Sequence, residues 1–330
     1  MARDGGRGTR RRPRAAEELQ QQLRQTGAEL REQVRATRTQ LDEANARITA
    51  RSGRNLVFAI GVGLLLGGAF LASVLLAKQL FLVIVAVLVG ACCYELAGAL
   101  RQAGRHVPRF GSVVAGVLAQ PVAYLAASPS LAASAFPGGW LLAIAGAVAF
   151  VVVWRLVQHV QRPVPGRELL LDLRAVVFVQ LYVTLLGSCA TVLTAQPGGQ
   201  WWTLAFVSVV VATDVFAYVS GLSFGRHPMA PRISPKKTWE GFAGSAVAAV
   251  VLATVLAPLL LAQPLWFGPL FGAVILVTGT VGDLAESMLK RDIGVKDISS
   301  WLPGHGGFLD RVDSVLPSGA AALLLHLVTR

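Results

Sequence analysis

Charge is scarce in this chain. Only 15% of its residues are Asp, Glu, Lys or Arg, where a soluble domain averages about 25%. Together with 54% hydrophobic residues and a mean hydropathy of +0.58, this deficit excludes an ordinary water-soluble fold and points to a membrane protein. Cysteine is scarcer still. Cys92, Cys93 and Cys189 all lie inside apolar runs, without metal-ligand spacing or a disulfide framework, and read as small hydrophobes. His106, His159, His227 and His326 are isolated and suggest no chemistry by themselves. No repeat of fixed period is evident, and no obvious pair of Gly-interrupted spans marks an inverted-repeat transporter. No apolar run follows the N-terminus until Leu56, so the start of the chain does not read as a signal peptide.

The charge that is present is unevenly placed. Of the formal net charge of +12, much lies at the start, where residues 1–54 hold thirteen Arg against seven Asp or Glu. Residues 1–15 are Arg- and Gly-rich and are expected to lack order. From Ala16 to about Ala50, Leu23 and Leu30, and then Val34, Leu41 and Ile48, recur every seven residues. That spacing predicts an amphipathic helix with a thin apolar seam.

After Arg54, apolar runs alternate with polar breaks. The pattern predicts an all-α, polytopic membrane protein with about nine transmembrane helices, near 56–77, 80–99, 112–127, 139–154, 174–195, 201–222, 242–262, 265–283 and 315–328. The division of the chain is 1–54 as Arg-rich cytoplasmic tail and amphipathic or coiled-coil helix, and 55–330 as the transmembrane domain, its active region about 200–330. With the Arg-rich N-terminus in the cytoplasm, the cytoplasmic loops are 100–111, 155–173, 223–241 and 284–314, all basic. The opposite loops, 128–138, 196–200 and 263–264, carry no charge, as the positive-inside rule requires. Lys78 and Arg330 break the pattern.

The densest mixture of charge is residues 283–313, with six carboxylates and four Lys or Arg. Asp283, Glu286, Ser287 and Lys290 are spaced i, i+3, i+4, i+7, which predicts one helix face at the membrane boundary. Arg291 is adjacent, Lys296 and Asp297 follow a turn at Gly294, and "LPGHGG" (His305, Gly306, Gly307) offers backbone that can approach a ligand closely. Asp310, Arg311 and Asp313 then lead into the last span. Carboxylates converging from separate helix ends suit a hard divalent cation, and the Lys and Arg beside them suit phosphate. Together they suggest Mg-assisted phosphoryl chemistry. A second group is Asp214, an acid inside the sixth span and so a functional candidate, with Ser234, Lys236, Lys237 and Thr238 of "ISPKKTWEG". On these residues alone, a transporter using Asp214 and Asp283 as an ion path stays open beside an enzyme.

Residues 287–313 resemble the signature of the phosphatidate cytidylyltransferase, or CDP-diacylglycerol synthase, family. The likeness rests on Ser287, Leu289-Lys290-Arg291, Lys296-Asp297, Ser299, Leu302-Pro303, His305-Gly306-Gly307 and Asp310-Arg311-Val312-Asp313, with "ISPKKTWEG" upstream. It implies a bacterial inner-membrane enzyme that couples CTP to phosphatidic acid, giving CDP-diacylglycerol and pyrophosphate. It also implies Mg²⁺, a second monovalent cation (K⁺), a homodimer among membrane lipids, and no nucleic-acid partner. Carried over, Asp283 and Asp310 would hold metal with Asp313 in support. Lys290, Arg291, Lys296 and Arg311 would face phosphates, with His305 beside them. Asp214, Ser234, Lys236, Lys237, Thr238, Ser287, Gly306 and Gly307 would line the substrate site. Where the family commonly has Asp-Thr-Gly-Ala-Tyr, this chain has Asp214-Val215-Phe216-Ala217-Tyr218. A cytidylyltransferase for another lipid phosphate is the nearest alternative.

Overall fold

The structure is a computed structural model, and it describes residues 32, 67–128, 138–295, 298, 299, 301 and 306–329. The chain separates into two units, Met1–Leu66 and Gly67–Arg330. Of the first, only Glu32 is described, and it is helical; the amphipathic helix expected over 16–50 otherwise lies outside the described residues.

The second unit is a bundle of helices. A short apolar helix α1 (Gly67–Leu76) precedes eight helices long and apolar enough to cross a membrane. These are α2 (Lys78–Gln102), α3 (Arg109–Ala127), α4 (Gly139–Gln161), α5 (Gly166–Ala195), α6 (Gly199–Phe224), α7 (Trp239–Leu260), α8 (Phe267–Ile293) and α9 (Leu309–Val328). All nine expected spans have a helical counterpart among the described residues. The 56–66 part of the first lies outside them.

The boundaries differ where charge was read as loop. The helix expected to end at residue 154 runs to Gln161, and the next begins at Gly166 rather than 174. The basic stretch 155–173 is therefore mostly two helix ends around a short turn containing Pro163 and Pro165, which cannot continue a helix. Polar residues enter these helices because they pair: Arg155 and Asp172, 2% and 1% exposed, meet with Nη2 to Oδ2 at 2.6 Å. The stretch 223–241 is not all loop either. It holds a two-stranded antiparallel hairpin, β1 (Pro228–Ala230) and β2 (Ser234–Thr238). Strands this short leave almost no periodic signal in the sequence.

Packing follows two apolar clusters. One joins α2, α3, α4 and the first half of α5; the other joins the second half of α5 with α6, α7, α8 and α9. On α7, Ser245, Ala249, Ala253 and Ala257 form a buried stripe four residues apart. Such small side chains let backbones approach closely where lipid leaves packing as the main source of helix association. Buried polar side chains tie α3 to α5: Thr191 donates to Gln120 at 2.9 Å, and Gln180 donates to the Ser112 carbonyl at 3.3 Å. Gln180 opens a π-helical segment, Gln180–Leu185, inside α5. Lys78, which broke the charge pattern, donates to the carbonyl of Gln196 at 3.2 Å. It thus satisfies an acceptor just past the C-terminus of α5.

Candidate functional site

Helix α8 carries the expected face. It runs unbroken through Asp283, Glu286, Ser287 and Lys290, and stops at Gly294, whose φ of 81° forms the left-handed cap. About two turns of this face meet two different neighbours, so the charges divide into two groups.

The first group surrounds a cavity of about 320 Å³ between α6, the hairpin, α7 and α8. Asp214, Lys236, Lys237, Thr238 and Asp283 all line it. The hairpin is anchored at both ends. The Thr238 hydroxyl caps α7 by accepting from the Gly241 N–H at 3.2 Å. Glu240 accepts from the Arg226 and His227 N–H groups at 3.1 and 3.2 Å. This places Lys237 Nζ 2.5 Å from Asp283 Oδ2. The departure at Val215-Phe216 falls outside the lining: both are about half exposed, while Thr213, Asp214, Ala217 and Tyr218 form the wall. Ser234, at the start of β2, does not line the cavity.

The second group joins α8 to the start of α9. Lys290 Nζ lies 2.5 Å from Glu286 Oε2 and 2.9 Å from Asp310 Oδ1. The other Asp310 oxygen accepts the Gly307 N–H at 2.7 Å. Asp313, 8% exposed, accepts from the Ser314 N–H. It lies within electrostatic reach of Asp283 and Asp214 but does not line the cavity. Gly282 allows this convergence: a Cβ there would collide with the Asp313 carbonyl oxygen. Ser287 reaches back to Asp283 only at 3.4 Å. Arg291 and Arg311 are exposed at the same end. Lys296 and His305 lie outside the described residues.

Two participants escaped the sequence reading. Glu95, 3% exposed on α2, accepts from the Phe308 and Leu309 N–H groups, both at 3.0 Å, and from the Ser299 hydroxyl at 2.5 Å. It satisfies the orphan donors at the head of α9, as a carboxylate should. Gly307 is matched to it, since a Cβ there would stand 2.7 Å from Glu95 Oε2. Gly306 turns the chain beforehand with φ 77°. A lone acid in an apolar span was the available signal. The second is Tyr182, in the π segment, whose buried hydroxyl has no hydrogen-bond partner among the described residues. It lies within electrostatic reach of Asp313 and Glu286.

No group of three His, Cys, Asp or Glu side chains is gathered for a metal among the described residues. A magnesium ion needs fewer, since it binds through one or two carboxylates plus substrate phosphates and water. Asp283 and Asp214, which line the one cavity from α8 and α6, fit that requirement, with Asp313 within electrostatic reach of both. Asp310 has both oxygens engaged by Lys290 and Gly307.

Comparison with known proteins identifies the family. The sequence model of the family described as "Cytidylyltransferase family" matches residues 58–329. A phosphatidate cytidylyltransferase of Mycobacterium bovis is 38% identical over 287 residues, covering 84% of this chain and 90% of that protein. One of Mycobacterium leprae is 37% identical over 310 residues, covering 90% and 95%. One of Brucella abortus is 45% identical over 132 residues, covering 40% and 48%. A family match over residues 58–329, together with relatives matched over 90% and 95% of their own length, shows that the chain belongs to the cytidylyltransferase family.

Proposed function

We propose that the protein is a phosphatidate cytidylyltransferase, converting CTP and phosphatidate into CDP-diacylglycerol and pyrophosphate. The observation that carries this reading is the cavity between the hairpin and α8, where Asp214 and Asp283 stand beside Lys236 and Lys237. It is the placement that a soluble triphosphate and a membrane-held phosphate both require. Its relatives are named for this reaction.

In the reaction, a phosphatidate oxygen attacks the α-phosphorus of CTP, and the bond to the bridging oxygen of pyrophosphate breaks. A phosphomonoester has a second pKa of about 6 and is already ionised near neutrality, so the attack needs little proton removal. The protein's task is to position and to neutralise. Lys236 and Lys237 reach the triphosphate from the hairpin. Lys290, Arg291 and Arg311 hold the remaining phosphate oxygens at the α8–α9 junction, with Lys296 and His305 in the segment between. Ser234, Thr238, Ser287, Gly306 and Gly307 complete the substrate site. Mg²⁺, held by Asp283 and Asp214 with Asp313 and Asp310 nearby, would supply charge neutralisation on the triphosphate and the leaving pyrophosphate; a monovalent cation such as K⁺ would assist. The assembly is a homodimer, with the N-terminus and the site on the cytoplasmic side of a bacterial inner membrane, where CTP is found.

The test is direct. Purified full-length protein, given CTP, Mg²⁺ and phosphatidate vesicles, should form CDP-diacylglycerol and pyrophosphate in equal amounts. Absence of product together with absence of CTP binding overturns the reading. Faster turnover with another lipid phosphate would reassign the acceptor while keeping the chemistry. Light scattering in detergent tests the dimer, and cysteine labelling of loop 223–241 from either side tests the orientation.

A further inference from the structure

Away from this cavity, a second basic pocket of about 310 Å³ lies where the ends of α2 and α4 meet the turn before α5. Arg101, His106, Arg155 and Arg162 line it with Gln158 and Gln161, and no carboxylate is among its described lining residues. It sits at the same end of the bundle as Asp310. Glu95, which holds the head of α9, is six residues before Arg101 on α2, about 9 Å along the helix.

Helix C-termini carry partial negative charge, and each accounts for a nearby cation. They do not account for Arg155. Its side chain is 3% exposed and is fixed by a dedicated acid, donating through Nε at 3.2 Å and Nη2 at 2.6 Å to Asp172 Oδ2. The second Asp172 oxygen is taken by the His106 N–H at 2.8 Å. Nη1 is left without a partner among the described residues, on a guanidinium that lines the pocket. A pinned guanidinium with spare donors is a pre-organised phosphate receptor. Arg101 and Arg162, both exposed, add charge at the rim.

Gln158 and Gln161 also belong to a neighbouring groove of about 430 Å³, lined otherwise by Phe150, Val153, Trp154 and Val157. An anion pocket and an apolar groove on the membrane-facing side of α4 thus share a wall. That continuity separates a lipid from a free anion, because only a lipid has a chain for the groove.

We infer that this composite site binds an anionic phospholipid, its phosphate in the Arg101–Arg155–Arg162 pocket and an acyl chain along Phe150–Val157, as a site separate from the reaction cavity. The test is native mass spectrometry of the full-length protein released from nanodiscs of equimolar phosphatidylglycerol and phosphatidylcholine. Phosphatidylglycerol is anionic but is not the acceptor in the proposed reaction, so the result stands apart from that reading. Wild type should retain phosphatidylglycerol selectively. The Arg101→Gln/Arg162→Gln variant should lose that selectivity by roughly tenfold or more, since each basic residue near the surface contributes about fivefold, with its melting temperature unchanged. If the double variant loses its cooperative melt, Arg162→Gln, at an exposed residue outside any helix, carries the same test. Equal retention of the two lipids by wild type, or unchanged selectivity in the variant, overturns the inference. So does displacement of the lipid by no more inorganic phosphate than lipid, since a bare anion would then bind as well as a lipid and the groove would contribute nothing.

Discussion

Lys237 Nζ on β2 lies 2.5 Å from Asp283 Oδ2 on α8, and this contact closes the hairpin onto the helix at the wall of the cavity. The two side chains remain 26% and 35% exposed. An ion pair that open contributes about 0–1 kcal/mol to stability. On the proposed function, its value lies in holding a carboxylate and a primary amine side by side, to separate when a cation and a phosphate arrive.

The pair therefore predicts a split between stability and activity. Asp283→Asn should shift the melting temperature little but lower CTP turnover by about 10²–10³-fold, the range for removing one dedicated electrostatic contact. Lys237→Gln should lower it too, and the double variant should lose less than the product of the two, because both act on one contact. Steady-state CTP kinetics on the four proteins decides this. Turnover near wild type in Asp283→Asn removes it from the metal role.

Asp310 predicts a different profile. It is held by Lys290 at 2.9 Å and by the Gly307 N–H at 2.7 Å, so Asp310→Asn disturbs the α8–α9 junction as well as its charge. Losing a half-buried charge-assisted contact costs about 1.5–3 kcal/mol. Both melting temperature and turnover should fall, and Lys290→Gln should reproduce the effect. Thermal melts alongside turnover check it. A full loss of turnover with no change in melting would place Asp310 on the substrate or metal instead.

The sequence made the helical face of α8 legible, because Asp283, Glu286, Ser287 and Lys290 keep a spacing that only a helix brings together. The alternation of basic and uncharged breaks likewise revealed the nine helical segments. The hairpin was hidden because β1 and β2 are three and five residues long, too short for a period of two to register. Arg155 and Asp172 were assigned to a loop because each reads as hydrophilic alone; only their pairing allows both to be buried. Glu95 gives no local sign of a partner more than 200 positions away. Such contacts depend on how helices pack, which one sequence does not state.

Glu95 should prove a positioning residue. Glu95→Gln keeps one acceptor but turns an amide donor toward the Phe308 or Leu309 N–H, leaving a buried donor unsatisfied at a cost of about 1–3 kcal/mol. Amide hydrogen exchange at Phe308 and Leu309 should accelerate, and turnover should fall with a smaller change in the Michaelis constant for CTP. Unchanged exchange at these amides would sink the assignment.

Tyr182 offers the sharpest separation of packing from function. Its ring stacks on Phe178, with centroids 5.4 Å apart and planes at 7°, so Tyr182→Phe preserves the packing and removes only the hydroxyl. That hydroxyl is buried without a partner among the described residues, and an unmet donor costs about 1–3 kcal/mol. The variant should therefore melt at the same temperature or higher. If the hydroxyl faces a phosphate or a metal-bound water beside Asp313 and Glu286, turnover should nevertheless drop about tenfold, the effect of one lost contact of about 1.4 kcal/mol. A stabilised variant with full turnover would show instead that the hydroxyl meets nothing in the reaction.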